Sequence, residues 1–102
     1  MFIGVARFEL FIPEATSLKD KRHVLRSVTM SVAKKFNVSI AEVDHQDLWQ
    51  RAAVGISCVS ESMGQCRRVL QEVEKAVGRS ALDGADIIDR QIEVFAMEDI
   101  EA

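Results

Sequence analysis

The spacing of apolar residues changes period along this chain in a fixed order, and that order leaves few ways to fold it. From Phe2 to Ile12 the even positions Ala6, Phe8, Leu10 and Ile12 form one apolar row while Arg7 and Glu9 point the other way, the period of two expected of a half-buried strand. Pro13 ends it, because proline has no N–H to give a sheet ladder. Ser17 then offers an N-cap oxygen with Asp20 three residues on, and Leu18, Leu25, Val28, Val32 and Phe36 recur at helical spacing, predicting a helix from Leu18 to Lys35. Asn37 suits the left-handed geometry of a helix stop. Val38 to Val43 and Arg51 to Ser60 are β-prone stretches joined by the polar segment Asp44 to Gln50, and they read as an antiparallel pair. Met63, Cys66, Val69, Leu70, Val73 and Val77 trace a second amphipathic helix, opened by Ser60 or Ser62 and stopped by Gly78. Ile92, Val94 and Ala96 alternate with polar or larger neighbours in a last strand, and the acidic segment from Glu98 to Ala102 is expected to fray.

The order β-α-β-β-α-β with right-handed crossovers has an economical solution: an α+β, ferredoxin-like sandwich, four antiparallel strands with two helices on one face. The other sheet face is left open. A length of 102 residues with 48% hydrophobic content supports one core, so residues 1–102 are expected to form a single domain.

Charge is distributed unevenly. Lys and Arg total 13 against 16 Asp and Glu, a net of −3, which argues against a protein that coats DNA through a general positive excess. Residues 15–36, however, hold Lys19, Lys21, Arg22, Arg26, Lys34 and Lys35 against Asp20 alone, a net of +5 that leaves −8 on the remainder. Cys58 and Cys66 fall at inward-reading positions and are too few for a disulfide scaffold. The opening apolar stretch is interrupted by Arg7 and Glu9 and is shorter than a membrane span. A soluble, unprocessed, cytoplasmic protein without membrane contact is expected.

The basic run on the first helix is the leading candidate for function. At 100° per residue Lys19, Arg22 and Arg26 share one flank with His23 and Lys34 nearby, a strip about 20 Å long. Such a strip suits RNA phosphates or an acidic protein surface; the plainer alternative is a solvated helix face. Lys21 falls within the apolar stripe, where its stem is expected to lie over the core with its ammonium in water. Glu42 reads as an exposed edge-strand residue. Trp49, the one tryptophan, either packs over the sheet rim or anchors a partner. His45 with Asp44 and Asp47 lacks the spaced ligand pattern of a zinc centre, so no metal and no cofactor are expected.

Enzyme templates fail in turn. The chain has no glycine-rich phosphate loop, no G-x-S-x-G elbow and no C-x-x-C. An acylphosphatase on this fold would need an arginine-bearing phosphate loop where Ile12-Pro13-Glu14-Ala15 stands, and a metallochaperone would need paired cysteines there. Ala53, Gly55, Ser57 and Val59 offer no aromatic to stack a base as an RNA recognition motif does. No enzymatic activity is expected.

Ser17-Leu18-Lys19-Asp20-Lys21-Arg22, Phe36 to Val43 and Asp47 to Ala52 give the chain a wider resemblance. It resembles the YlxP-like family, catalogued as domain of unknown function 503, from the opening strand through Phe95. The resemblance implies a ferredoxin-like sandwich and genes placed beside those of translation and ribosome maturation, with no catalytic residue to carry over. It marks Lys19, Lys21, Arg22, Asn37, Glu42, Trp49 and Arg51 as positions to test, and Phe11 as a departure where a polar residue is usual. Two expectations follow. One is an accessory protein touching ribosomal RNA or a ribosome-associated protein through Lys19, Arg22, Arg26 and Trp49. The other is a self-assembly module, a homodimer formed through the open face, where Ala41, Val43, Ala53, Gly55 and Val59 are edged by Phe11 and Phe95.

Overall fold

The computed structural model describes residues 1–79 and 84–100. Strand β1 (Phe2–Phe11) is followed by helix α1 (Leu18–Lys35), β2 (Ser39–Asp44), β3 (Arg51–Ser60), α2 (Met63–Arg79) and β4 (Asp86–Ala96), then a 3₁₀ turn over Met97–Asp99. The strands form one sheet in the order β2-β3-β1-β4, every pair antiparallel. This is the ferredoxin-like α+β sandwich. The turn at Met97 is tied back by its N–H to the carbonyl of Met1 at 3.0 Å, and Glu98 and Asp99 lie in that turn; residues 101–102 lie outside the described residues.

Strand alternation and helix periodicity meet in one core. Phe8, Leu10, Val54 and Ile56 point from the even positions of β1 and β3 onto Leu25, Val28 and Val32 of α1 and Cys66, Leu70, Val73 and Val77 of α2. Full burial of side chains such as Phe8, Leu10 and Leu70 contributes about 2 kcal/mol each. Gly4 lets α2 approach: a Cβ there would stand 2.9 Å from Leu70 Cδ1 and 3.0 Å from Cys58 Sγ.

Caps set the helix starts. The Asp20 N–H donates to Ser17 Oγ at 3.1 Å, while the Asp20 carboxylate accepts from the Thr16 N–H and hydroxyl, a reciprocal cap. The Thr16 hydrogen bonds, with the nearby Lys19 charge adding less, hold the Asp20 carboxyl below its usual range. At α2 it is Ser62 that caps, accepting from the Gln65 N–H. Three local expectations change. Gly78 lies inside α2, which runs on to Arg79; α1 ends through Phe36 in extended backbone, not a left-handed Asn37; and β4 begins at Asp86, well before Ile92. Among the described residues, the non-glycine residue with left-handed backbone is His45, φ 62°, in the β2–β3 loop.

Candidate functional site

The β2–β3 loop is held by a lysine that periodicity assigns to the core. Lys21 follows the apolar stripe of α1 and its side chain is 1% exposed. Its ammonium does not reach water. Nζ donates to the carbonyl of His45 at 2.8 Å and of Gln46 at 3.2 Å, with the Arg51 carbonyl at 3.5 Å and Glu42 Oε2 at 3.1 Å. Glu42 is therefore the counter-ion of Lys21 rather than a free edge residue, since Glu42 pairs with Val54 on the helix side of the sheet. A buried charge costs several kcal/mol unless its hydrogen bonds are met, and here the acceptors converge from one loop and the two strands it joins.

Other bonds fix the same loop. Leu48 N–H closes a turn onto the His45 carbonyl at 3.0 Å, the Ile12 N–H donates to the Gln50 carbonyl at 2.8 Å, and the Gln50 side chain donates to the Pro13 carbonyl at 3.0 Å. On this braced loop Trp49 is 53% exposed and Leu48 47% exposed. They line, with Asp47, Gln50 and Arg51, a depression of about 400 Å³. Packing over the sheet rim does not bury Trp49.

The left-handed backbone at His45 turns its ring onto the open sheet face. There His45 Nε2 lies 2.9 Å from Glu9 Oε1, Arg51 Nη2 pairs with Glu9 Oε2, and Arg7 Nη2 lies 3.1 Å from Glu9 and 3.3 Å from Asp44. These hydrogen bonds, from His45 first and then Arg51, hold the Glu9 carboxyl at about 2 against an ordinary 4.5. Ala53, opposite Glu9 in the β1–β3 ladder, is buried without belonging to the main core. The expectation that Ala53 lies on an open apolar face is thus corrected, since it is buried beside a charged network.

Residues expected to share a patch are separated. Ile3 of β1 pairs with Val59 on one side and Phe95 on the other, so those three form one row across the open face. Phe11 pairs with Arg51 and Asp86, eight residues away along β1, or about 26 Å. Lys19, Arg22 and Arg26 are exposed on α1 and, unlike Arg7, Arg51 and Lys21, take part in no ion pair among the described residues. Because Lys21 ties the loop to the first turns of α1, the Trp49 loop sits at the same end of the molecule as Lys19 and Arg22. Cys58 and Cys66 are free and buried. No group of three or more metal-ligating side chains is placed to hold an ion, and no helix is long and apolar enough to cross a membrane, among the described residues.

Comparison with known proteins gives a family and a fold. The family described as protein of unknown function, DUF503, matches residues 3–92. The uncharacterised protein YlxP of Bacillus subtilis (strain 168) is 49% identical over 71 residues, covering 70% of this chain and 77% of that protein. Among solved structures, a putative chlorite dismutase, TA0507, superposes with a TM-score of 0.60 at 10% identity, over 96% of this chain but only 44% of that one. The de novo designed protein LFR1 1, with ferredoxin fold, matches all of this chain and 89% of its own with a TM-score of 0.50 at 9% identity. These two similarities concern the fold alone.

Proposed function

This chain belongs to the DUF503 family of proteins of unknown function, and from that premise we propose that it is a non-enzymatic, cytoplasmic accessory protein that contacts ribosomal RNA or a ribosome-associated protein. One observation carries the reading. The cations of the open face and of the buried clamp are matched by carboxylates, whereas Lys19, Arg22 and Arg26 on α1 are exposed and unmatched among the described residues. Cations kept free of internal partners on an acidic protein fit an anionic external one. Trp49, braced beside the start of this strip, adds an apolar anchor whose ordering cost is met before binding.

The test is co-sedimentation with small ribosomal subunits across a salt series. Each phosphate contact releases condensed counterions, so replacing Lys19, Arg22 and Arg26 together by Ala is expected to weaken association and flatten its salt dependence by up to about three charge units. Trp49→Ala is expected to weaken association and leave the slope unchanged. Absence of wild-type binding at low salt, or a triple variant indistinguishable from wild type, overturns the reading.

A second reading, self-assembly into a homodimer, is favoured by the row Val59, Ile3 and Phe95, where Val59 is 66% exposed. The two readings use opposite sides of the sheet. Sedimentation as a monomer at high micromolar concentration counts against the second.

A further inference from the structure

We propose that Cys58 and Cys66 are an oxidisable dithiol, which closes to an intramolecular disulfide at the expense of a small disulfide such as glutathione disulfide and so ties β3 to the first turn of α2.

A strand end, a turn and a helix start separate the two cysteines along the chain, and the fold brings them together over one residue. Cys58 stands opposite Gly4 in the β1–β3 ladder and belongs to the core between sheet and helices, while Cys66 lies in the first turn of α2. A Cβ on Gly4 would stand 3.0 Å from Cys58 Sγ and 3.3 Å from Cys66 Cβ. The cysteine side chains therefore meet in the space that any other residue at position 4 would fill. Burial first, and then the charge and hydrogen bonding of the Cys66 thiol, push the Cys58 thiol above its ordinary value, as neighbouring titratable groups do.

Little holds the thiol protons in place. The Cys58 S–H faces the Cys66 carbonyl at 4.0 Å and the Cys66 S–H faces the Phe2 carbonyl at 3.6 Å. Thiols are weak donors, so losing both hydrogens forfeits little hydrogen bonding.

The exchange has two displacements. The thiolate of one cysteine attacks the S–S bond of glutathione disulfide, forming a mixed disulfide and releasing one glutathione thiolate. The second cysteine, as its thiolate, attacks the protein-side sulfur of that mixed disulfide; the 58–66 bond forms and the second glutathione thiolate leaves. The two cysteine protons end on the two glutathiones, and the two electrons lost by the protein reduce the small disulfide. Because both cysteines are buried, the exchange passes through an opened chain and is slow. Contact in the native state sets its equilibrium instead, since the fold holds the second thiol at an effective concentration that the unfolded chain does not reach.

The test equilibrates the reduced protein with mixtures of reduced and oxidised glutathione, once in native buffer and once in concentrated guanidinium. Acid quenching, alkylation and peptide mapping read the products. The expected native product is a monomer, two hydrogens lighter, with its disulfide mapped to 58–66. The equilibrium constant for closure is expected to be about tenfold or more larger in the native protein than in the denatured chain, a potential lower by about 30 mV or more. By linkage the same factor stabilises the fold, so the oxidised protein is expected to unfold at a higher temperature than the reduced one. Cys58→Ser and Cys66→Ser are expected to form only mixed disulfides with glutathione. A native constant equal to or below the denatured one, a thermal midpoint lowered by oxidation, or a wild-type native product that is a mixed disulfide or a covalent dimer overturns the proposal. The comparison of native with denatured wild type decides it even where a serine variant fails to fold.

Discussion

The ammonium of Lys21 lies 2.8 Å from the carbonyl oxygen of His45, so the first helix grips the loop between the two strands that follow it. The residue that carries the grip is buried, and the residue it displays, Trp49, is exposed.

Removing the grip is expected to be costly. Lys21→Met keeps the apolar stem but leaves Glu42 and the loop carbonyls of His45 and Gln46 without their donor. The expected loss is about 3 kcal/mol, read from denaturant unfolding. Glu42→Gln, which leaves the carbonyl acceptors in place, is expected to cost less than half of that. Equal effects of the two substitutions contradict the assignment of Lys21 as the clamp.

The open-face network makes stability depend on acid. Glu9 titrates at about 2 in the folded chain against an ordinary 4.5, because His45 and Arg51 hydrogen bond to its charged form. A carboxyl whose pKa falls on folding adds stability that is complete above the unfolded value and is lost as pH falls through the folded one. The stability gap between wild type and Glu9→Gln is expected to be full above pH 4.5 and to close as pH approaches 2. Thermal unfolding of both proteins over that range reads it, and a gap that does not change with pH rules out this role for Glu9.

Two strand glycines are expected to differ. A Cβ at Gly4 meets Leu70, Cys58 and Cys66 inside the core, so Gly4→Ala is expected to destabilise by about 1–3 kcal/mol through overpacking. A Cβ at Gly55 meets Val43 Cγ1 at 2.9 Å, but Val43 is half exposed and free to turn away. Gly55→Ala is expected to be nearly neutral, the lost contact offset by the strand preference of Ala over Gly. Chemical denaturation midpoints of the two variants check the order.

The cysteines are expected to be silent in the native state. Burial, and then the neighbouring Cys66, push the Cys58 thiol above its ordinary value, which lowers the thiolate population that reacts. Thiol labelling is expected to follow global unfolding in rate. Labelling of native protein within seconds contradicts it.

Much of this architecture is legible in the sequence because burial imposes a period. The limits of α1 and of β3, and the cap at Ser17, follow from apolar spacing and one hydroxyl. The first half of β4 is hidden because its pairing with β1 shifts register between Glu9 and Leu10, so Asp86-Ile87-Ile88-Asp89-Arg90 does not alternate. The Lys21–Glu42 pair left a signal: a lysine in an apolar stripe and a glutamate at an inward strand position are each improbable alone and compatible as a pair. The Glu9, His45 and Arg51 network left none, because it needs the register of β1 on β3 together with the left-handed turn at His45.

β1 is made first during synthesis, yet it lies between β3 and β4 and its second ladder is supplied by residues 86–96. A nascent chain therefore carries Phe2–Phe11 with one unpaired edge until residues 86–96 have been made, and closure of the sheet waits for the last of its four strands. A chain interrupted between β3 and β4 has a three-stranded sheet whose exposed strand is an apolar one, a species suited to chaperone capture and not to accumulation.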